Sequence, residues 1–394
     1  MTIISKYRPG LILVLLLVGV LCNASIVPFM GVYIVEGLGK APWMISLYSS
    51  LTIVVALIVN RQFGEWIDGG KRVAPIVLIC IVAFVVGNLT ILIAQTYWVL
   101  VTIVSLCFGI SAGAVSTMYS FGRLYAEERK INLHRYNSYL RTMTSLGWML
   151  APALAFFIAG QFGYIAVFKL ALSVAVVWLL LWAVVMPKDF VSPASASKGS
   201  DRPEAVGPNR PLWLAAFACF CFSLAHVLCS NALPLFYIQE VGLPTFAPGL
   251  SFSVKTFVEI VAILASPVII ARVGSRNALF GSAVLGLAAF FVLSNVNSLM
   301  IMVAGSALEG LYYGIFAGVG INFVQSFAAG RMARATSLYM NSLFLGGLIA
   351  GTSMGIIAQF FDFRTAIQLA ALGAVAAIIV LFLTRSYDAV ADKD

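Results

Sequence analysis

The chain has 394 residues, of which 61% are hydrophobic and 10% charged, and its mean hydropathy is +1.01. A water-soluble domain carries about 25% charged residues, so this composition excludes a soluble protein and leaves an integral membrane protein. The net charge of +9 raises the question of nucleic acid, which the placement of the charges answers.

Hydrophobic runs of about 20 residues recur, each long enough to cross a bilayer as a helix. In chain order they fall at 10–35, 43–64, 73–95, 97–121, 138–160, 164–186, 211–237, 246–271, 276–295, 298–326, 334–358 and 364–385, twelve in all. Helices are the open-chain solution in lipid, because each satisfies its own backbone. The first run follows Lys6 and Arg8 and reaches Asn23-Ala24-Ser25, the outline of a secretory signal. A closely similar segment recurs in mid-chain, so the run is read as a span.

Two connections are long. Gly122–Leu140 is polar and basic. Pro187–Pro211 contains SPASASKGSDRPEAVGPNRP, a Pro/Ser/Gly-rich linker expected to be disordered. The expected organisation is an all-α membrane protein of twelve transmembrane helices in two pseudo-symmetric bundles. A six-helix bundle occupies 1–186, a cytoplasmic linker 187–210, and a second six-helix bundle 211–394.

With both termini cytoplasmic, all but four of the 24 Lys and Arg fall in inner connections. Lys40 and Arg364 lie in outer loops, and Lys169 and Lys255 lie within spans. This alternation obeys the positive-inside rule and explains the basic balance without nucleic acid as a partner.

The halves repeat. LCNASIVPF (21–29) is similar to LCSNALPLF (228–236), and YIVEGLG (33–39) to YIQEVGL (237–243). Gly109-Ile110-Ser111-Ala112-Gly113 matches Gly314-Ile315-Phe316-Ala317-Gly318, and Leu146-Gly147 matches Leu345-Gly346. A steady offset of about 200 residues marks a duplicated unit, the arrangement of two-lobed transporters.

The six cysteines, Cys22, Cys80, Cys107, Cys219, Cys221 and Cys229, all lie in apolar runs without metal-ligand spacing and read as small buried hydrophobes. No phosphate loop, metal cluster or Ser–His–Asp set is found, and only two histidines are available. The chain is therefore not expected to be an enzyme or to hold a metal or other cofactor. Its energy source is expected to be an ion gradient, most simply protons.

The loop after the second run reads Gly64-Glu-Trp-Ile-Asp68-Gly-Gly70-Lys71-Arg72. It resembles the signature of the major facilitator superfamily, Gly-x-x-x-Asp-Arg-x-Gly-Arg-Arg, with Gly69 where the first Arg stands. The resemblance implies a cytoplasmic latch made by Gly64, Asp68, Lys71 and Arg72 with Arg141; a basic inner loop obeying the topology rule is the plainer reading.

Further segments narrow the likeness. Arg141-Thr-Met-Thr-Ser145-Leu-Gly-Trp148-Met-Leu-Ala151-Pro152, Gln239-Glu240-Val-Gly242-Leu-Pro244, Val258-Glu259-Ile260, Gly320-Ile-Asn322-Phe-Val-Gln325 and Ala335-Thr336-Ser-Leu-Tyr339-Met-Asn341-Ser342 together resemble the bacterial sugar efflux transporter group. That resemblance implies export of sugars or glycosides against protons, a multi-pass place in the bacterial inner membrane, and a monomer in contact with lipid. The chain departs from the group in Val261, where Pro is usual, and in the charged Lys255 and Glu309.

Four ionisable groups inside spans are the candidates for a proton path: Lys255, Glu259, Glu309 and His226. Such groups are costly in lipid and mark ion pathways. An uncompensated carboxylate at that depth is driven toward its neutral form, which suits a proton carrier. Lys255 and Glu259 are one helical turn apart and can meet. The pair is either a salt bridge that opens when Glu259 takes a proton or a sugar hydroxyl, or a static buried pair. His226 is either a member of the proton path or a helix-packing donor.

Asn23, Tyr119, Ser145, Trp148, Asn231, Tyr312, Asn322, Gln325 and Asn341 are the candidate solute-binding residues, since a sugar needs hydroxyl partners and flat faces. Each also suits helix packing. Two other readings stand beside sugar export: a multidrug/proton antiporter of the same fold, favoured by the 28 Phe and 12 Met, and a membrane sensor that has lost transport.

Overall fold

The computed structural model describes residues 3–188, 190–191, 209–328 and 332–384, without the side chains of 3–8, 133–134 and 332–333. Most of the linker expected at 187–210 lies outside the described residues. Eleven helices among those described are long and apolar enough to cross a membrane. They are α1 (Pro9–Gly37), α2 (Trp43–Asp68), α3 (Val73–Ile93), α4 (Tyr97–Glu128), α5 (Arg135–Phe162), α6 (Tyr164–Val185), α7 (Arg210–Glu240), α8 (Ala247–Ser294), α9 (Leu299–Gln325), α10 (Arg334–Phe360) and α11 (Phe363–Leu383).

The run α8, 48 residues long, is two helices that meet at a kink. Gly274 interrupts it with φ 78° and ψ 159°, backbone that a side chain resists. The spans expected at 246–271 and 276–295 are thus two helices that meet at this glycine. Gly70, in the loop after α2, has a similar positive φ of 76° at the matching place in the first half.

The chain forms two compact units, Met1–Lys40 with Leu47–Arg202 and Ala41–Ser46 with Pro203–Asp394. In the first, α1 packs on α5 and α6, and α3 on α4 and α6. In the second, α7 packs on α10 and α11, and α8 on α9 and α11. The duplication is visible in this packing. Gly147 of α5 lies against Val20 of α1, and Gly346 of α10 lies against Phe220 O and Leu224 N of α7.

The turns that end α1 and α7 also repeat. Residues Tyr33–Gly37 and Phe236–Glu240 are π-helical, and each turn closes through one carbonyl, with Leu38 N donating to Tyr33 O at 2.9 Å and Val241 N to Phe236 O at 3.0 Å. Local π turns are often found at functional sites. The six cysteines are unpaired; five are buried and Cys107 is half-buried.

Many large apolar side chains are exposed along the helices, such as Leu264 at 74% and Phe291 at 72%. A water-soluble surface does not carry such a density; a lipid-facing one does. The chain is an all-helical, multi-pass membrane protein.

Candidate functional site

In the second unit, α9 carries Gly310, Gly314 and Gly318, at every fourth residue, along the face that meets α8. A Cβ at Gly310 would strike Lys255 O, one at Gly314 would fall 2.7 Å from Glu259 O, and one at Gly318 2.6 Å from Ser266 Cβ. Small residues at this spacing let two helix backbones close together. Here they bring Glu309, beside Gly310, next to the turn of α8 that carries Lys255 and Glu259.

Helix α7 supplies the fourth group. At 1.5 Å per residue, His226 lies about 24 Å along α7 from Arg210, Glu259 about 18 Å along α8 and Glu309 about 15 Å along α9. All three sit near the middle of their spans, so adjacent helices place them at one level.

There His226 Nδ1 meets Glu309 Oε1 at 2.7 Å, and Lys255 Nζ meets Glu259 Oε2 at 2.9 Å. The Tyr313 ring joins the two pairs. It stacks on His226 with centroids 3.6 Å apart and planes 20° apart, and Lys255 Nζ stands 4.8 Å from its centroid, a cation–π distance. The side chains of Glu309 and Lys255 are 3% and 10% exposed; Glu259, at 16%, is the most open of the ionisable four. Glu259 is therefore a carboxylate paired with Lys255 one helical turn away, and His226 is tied to a carboxylate.

The matching crossing in the first unit uses the same stripe. Gly109 and Gly113 of α4 lie against Thr52, Val55, Val59 and Phe63 of α2. The architecture is shared, and in the second unit it carries the charges.

The candidate solute-binding residues do not form one group within a unit. In the first, Tyr119 Oη bonds Thr144 Oγ1 at 2.9 Å, and Ser145 and Trp148, half-buried, follow on α5. Asn23 donates to Gly19 O at 3.0 Å. In the second, Gln325 donates to Thr336 Oγ1 at 2.9 Å, Asn231 is half-buried, and Asn322 is exposed. Asn341 lines a cavity of about 270 Å³ with Trp213, Phe217, Phe220 and Ser342. Tyr312 is fully buried, donates to Phe222 O at 2.9 Å and stacks on Phe222, within the packing of the unit.

In the loop after α2, Asp68 is exposed at the helix end, and Lys71 Nζ stands 4.4 Å over the Trp66 ring. Arg72 pairs with Val191 as an isolated antiparallel bridge, and Val73 N donates to Phe190 O at 3.3 Å. The loop of Gly64, Asp68, Lys71 and Arg72 is thus fastened to the segment that follows α6. Arg141 is exposed at the start of α5.

Sequence reasoning missed Gly310, although three glycines four residues apart were a readable signal. It also missed the aromatic wall of Trp213, Phe217 and Phe220, whose i, i+4, i+7 spacing is hidden in a helix that is apolar all round.

A two-unit bundle of membrane helices with a charge cluster at mid-depth defines a solute transporter. A model of the Major Facilitator Superfamily matches residues 11–294, and the chain belongs to that superfamily, whose members transport solutes and are not enzymes. The chain is 25% identical over 365 residues to sugar efflux transporter A of Escherichia coli K12, covering 91% of this chain and 90% of that one. It is 26% identical over 387 residues to a putative sugar efflux transporter of Deinococcus radiodurans, covering 95% and 97%. Among solved structures, the nucleoside transporter NupG aligns with a TM-score of 0.76 at 14% identity, covering 96% of this chain and 98% of the other. A bacterial homologue of the iron transporter ferroportin aligns at 0.70 and 17%, covering 98% and 99%. At these identities the structural likeness shows the fold.

Proposed function

We propose that the chain exports a sugar or glycoside by proton antiport, working by alternating access in the bacterial inner membrane with both termini cytoplasmic. The observation that carries the reading is the mid-depth cluster, in which two carboxylates, a lysine and a histidine are held within hydrogen-bond reach in pairs. Intramembrane acids of this kind serve proton relays. The named sugar exporters of similar sequence support the solute class, and the charge alternation supports the orientation.

In this reading Glu259, the most open acid, exchanges its partner. Lys255 holds it while the site is empty; a proton or a solute hydroxyl displaces Lys255. Asn23, Tyr119, Ser145, Trp148, Asn231, Asn322, Gln325 and Asn341 supply hydroxyl partners and flat faces. The Asp68 loop latches one conformation on the inner side.

The test is proton movement across proteoliposomes when each of a panel of sugars and glycosides is supplied on the side from which export would start. Proton flux opposite in direction to one sugar's movement supports the reading. No response to any sugar by folded protein contradicts it.

The aromatic cavity of Trp213, Phe217 and Phe220 favours a second reading, a drug/proton antiporter. Competition between lipophilic cations and glycosides separates the two.

A further inference from the structure

We propose that Phe190 anchors a strap that fixes the loop after α2 on the first unit, and that it acts on transport as a positioning residue for Asp68. Its role in transport rests on the latch and export readings above; the strap itself does not.

The chain that leaves α6 reads Pro187-Lys-Asp-Phe190-Val-Ser-Pro193 and then turns polar. Phe190 is the one aromatic residue between Trp182 and Trp213. A large apolar ring in such a stretch gains by docking on a neighbour. The chain turns back to let it do so, with Phe190 N donating to Pro187 O at 3.4 Å. The ring meets Phe121 edge-on, with centroids 4.9 Å apart and planes at 89°, and lies 6.4 Å from the Tyr125 ring. Both distances are those of interacting aromatic pairs. Phe121 and Tyr125 are buried one turn apart on α4, so the ring docks on the body of the unit.

The docked ring brings its backbone against the loop after α2. Val73 N donates to Phe190 O at 3.3 Å, and Arg72 pairs with Val191 as an antiparallel bridge. Val191 Cγ1 stands 3.8 Å from the place a Cβ would take on Gly70. One turn back on α6, Trp182 Nε1 donates to Ala74 O at 3.0 Å. From the other side, Gly69 N donates to Glu65 O, Gly70 N to Ile67 O and Lys71 N to Trp66 O. These bonds carry the tie into the last turn of α2, where Asp68 stands. The loop is thus held between the end of α2 and the strap.

The second unit makes the same tie with other side chains. Arg276, just after the break at Gly274, donates from Nη2 to Thr384 O at 2.6 Å, and Thr384 caps the end of α11. In each unit the break is therefore fastened to the chain leaving that unit's last helix. The tie belongs to the architecture; only the first unit adds an acid, Asp68, to it.

The consequence is mechanical. A latch works only if its own end is fixed, because an acid on a slack loop follows its partner and leaves the rest of the unit behind. The strap joins the loop to α4 and α6, so Asp68 moves with the unit as one body.

The test joins hydrogen exchange to transport rates in the full-length protein. In wild type the amides of Gly69, Gly70, Lys71 and Val73 are expected to be protected. Phe190→Ala is expected to speed their exchange about tenfold, the effect of losing two aromatic contacts. Phe190→Tyr, which keeps the ring, is expected to stay near wild type. Free exchange of these amides in wild type overturns the strap, as does unchanged exchange in folded Phe190→Ala. Phe190→Leu carries the same comparison if Phe190→Ala fails to fold.

Efflux of radiolabelled methyl glucoside from proteoliposomes reads the role. Phe190→Ala is expected to slow efflux with methyl glucoside binding unchanged, and to slow it no further where Asp68→Asn is already present. A merely structural part would lower efflux alike in both backgrounds. Losses that multiply in the double variant overturn positioning through Asp68, and so does normal efflux by a Phe190→Ala protein whose loop exchanges fast. No efflux by wild type contradicts the export reading and removes the role with it, while the exchange result alone decides the strap.

Discussion

His226 of α7 and Glu309 of α9 are 83 residues apart in sequence and 2.7 Å apart in space. The contact depends on two things that neither residue supplies. One is the glycine stripe that draws α9 onto α8; the other is the common depth of the three helices. Charge chemistry in the second unit is in this sense a product of backbone packing.

The Lys255–Glu259 pair gives the first prediction. Breaking a buried pair by removing one partner costs about 3–5 kcal/mol, whereas replacing both can be neutral. Lys255→Gln is therefore expected to lower thermal stability in detergent, less so where Glu259 takes up a proton. Lys255→Gln/Glu259→Gln is expected to restore it. A full double-variant cycle showing no coupling would mean the pair contributes nothing.

Gly314→Val should separate α8 from α9, because its Cβ would fall 2.7 Å from Glu259 O and 2.7 Å from Ala262 Cβ. Overpacking of this kind costs about 1–3 kcal/mol. Transport is expected to fall further than stability, since the displaced element carries Lys255 and Glu259. Equal binding and flux in a folded Gly314→Val protein would argue against the close crossing.

Gly274 predicts a backbone effect. Its φ of 78° and ψ of 159° are disfavoured for any side chain, and Gly274→Ala should cost about 1–3 kcal/mol. Gly281, on the next limb of α8, has open space at its Cβ position. There Gly281→Ala should be neutral or stabilising by about 0.5–1 kcal/mol. Thermal unfolding of the two variants side by side measures the contrast.

For the loop after α2, Asp68→Asn removes charge and keeps shape. The proposed latch role predicts that solute binding at equilibrium is unchanged in this variant while the transport rate falls. A variant that transports at the normal rate would return the loop to a topology signal alone.

Much of this architecture is legible in the sequence, because lipid imposes a strict code. Charged residues are nearly absent from the spans, which made Lys255, Glu259 and Glu309 visible as exceptions. The break between the runs at 246–271 and 276–295 was legible from their limits; that it is made at one residue, Gly274, rests on that residue's dihedral angles. The neutral polar residues were ambiguous for a physical reason. Tyr312 and Tyr313 are neighbours of one type, yet successive helical positions point about 100° apart. One packs against Phe222 and the other stacks on His226. Only helix rotation, absent from a composition argument, separates them.

The central claim is that proton movement and solute movement are coupled through this cluster. The direct measurement is internal pH in proteoliposomes holding wild type or Glu259→Gln, followed as a sugar gradient is imposed in the export direction. The account predicts a sugar-dependent proton flux in wild type that is lost in Glu259→Gln, with the variant folded and still binding the sugar. Sugar-driven proton flux that persists unchanged in Glu259→Gln would contradict it.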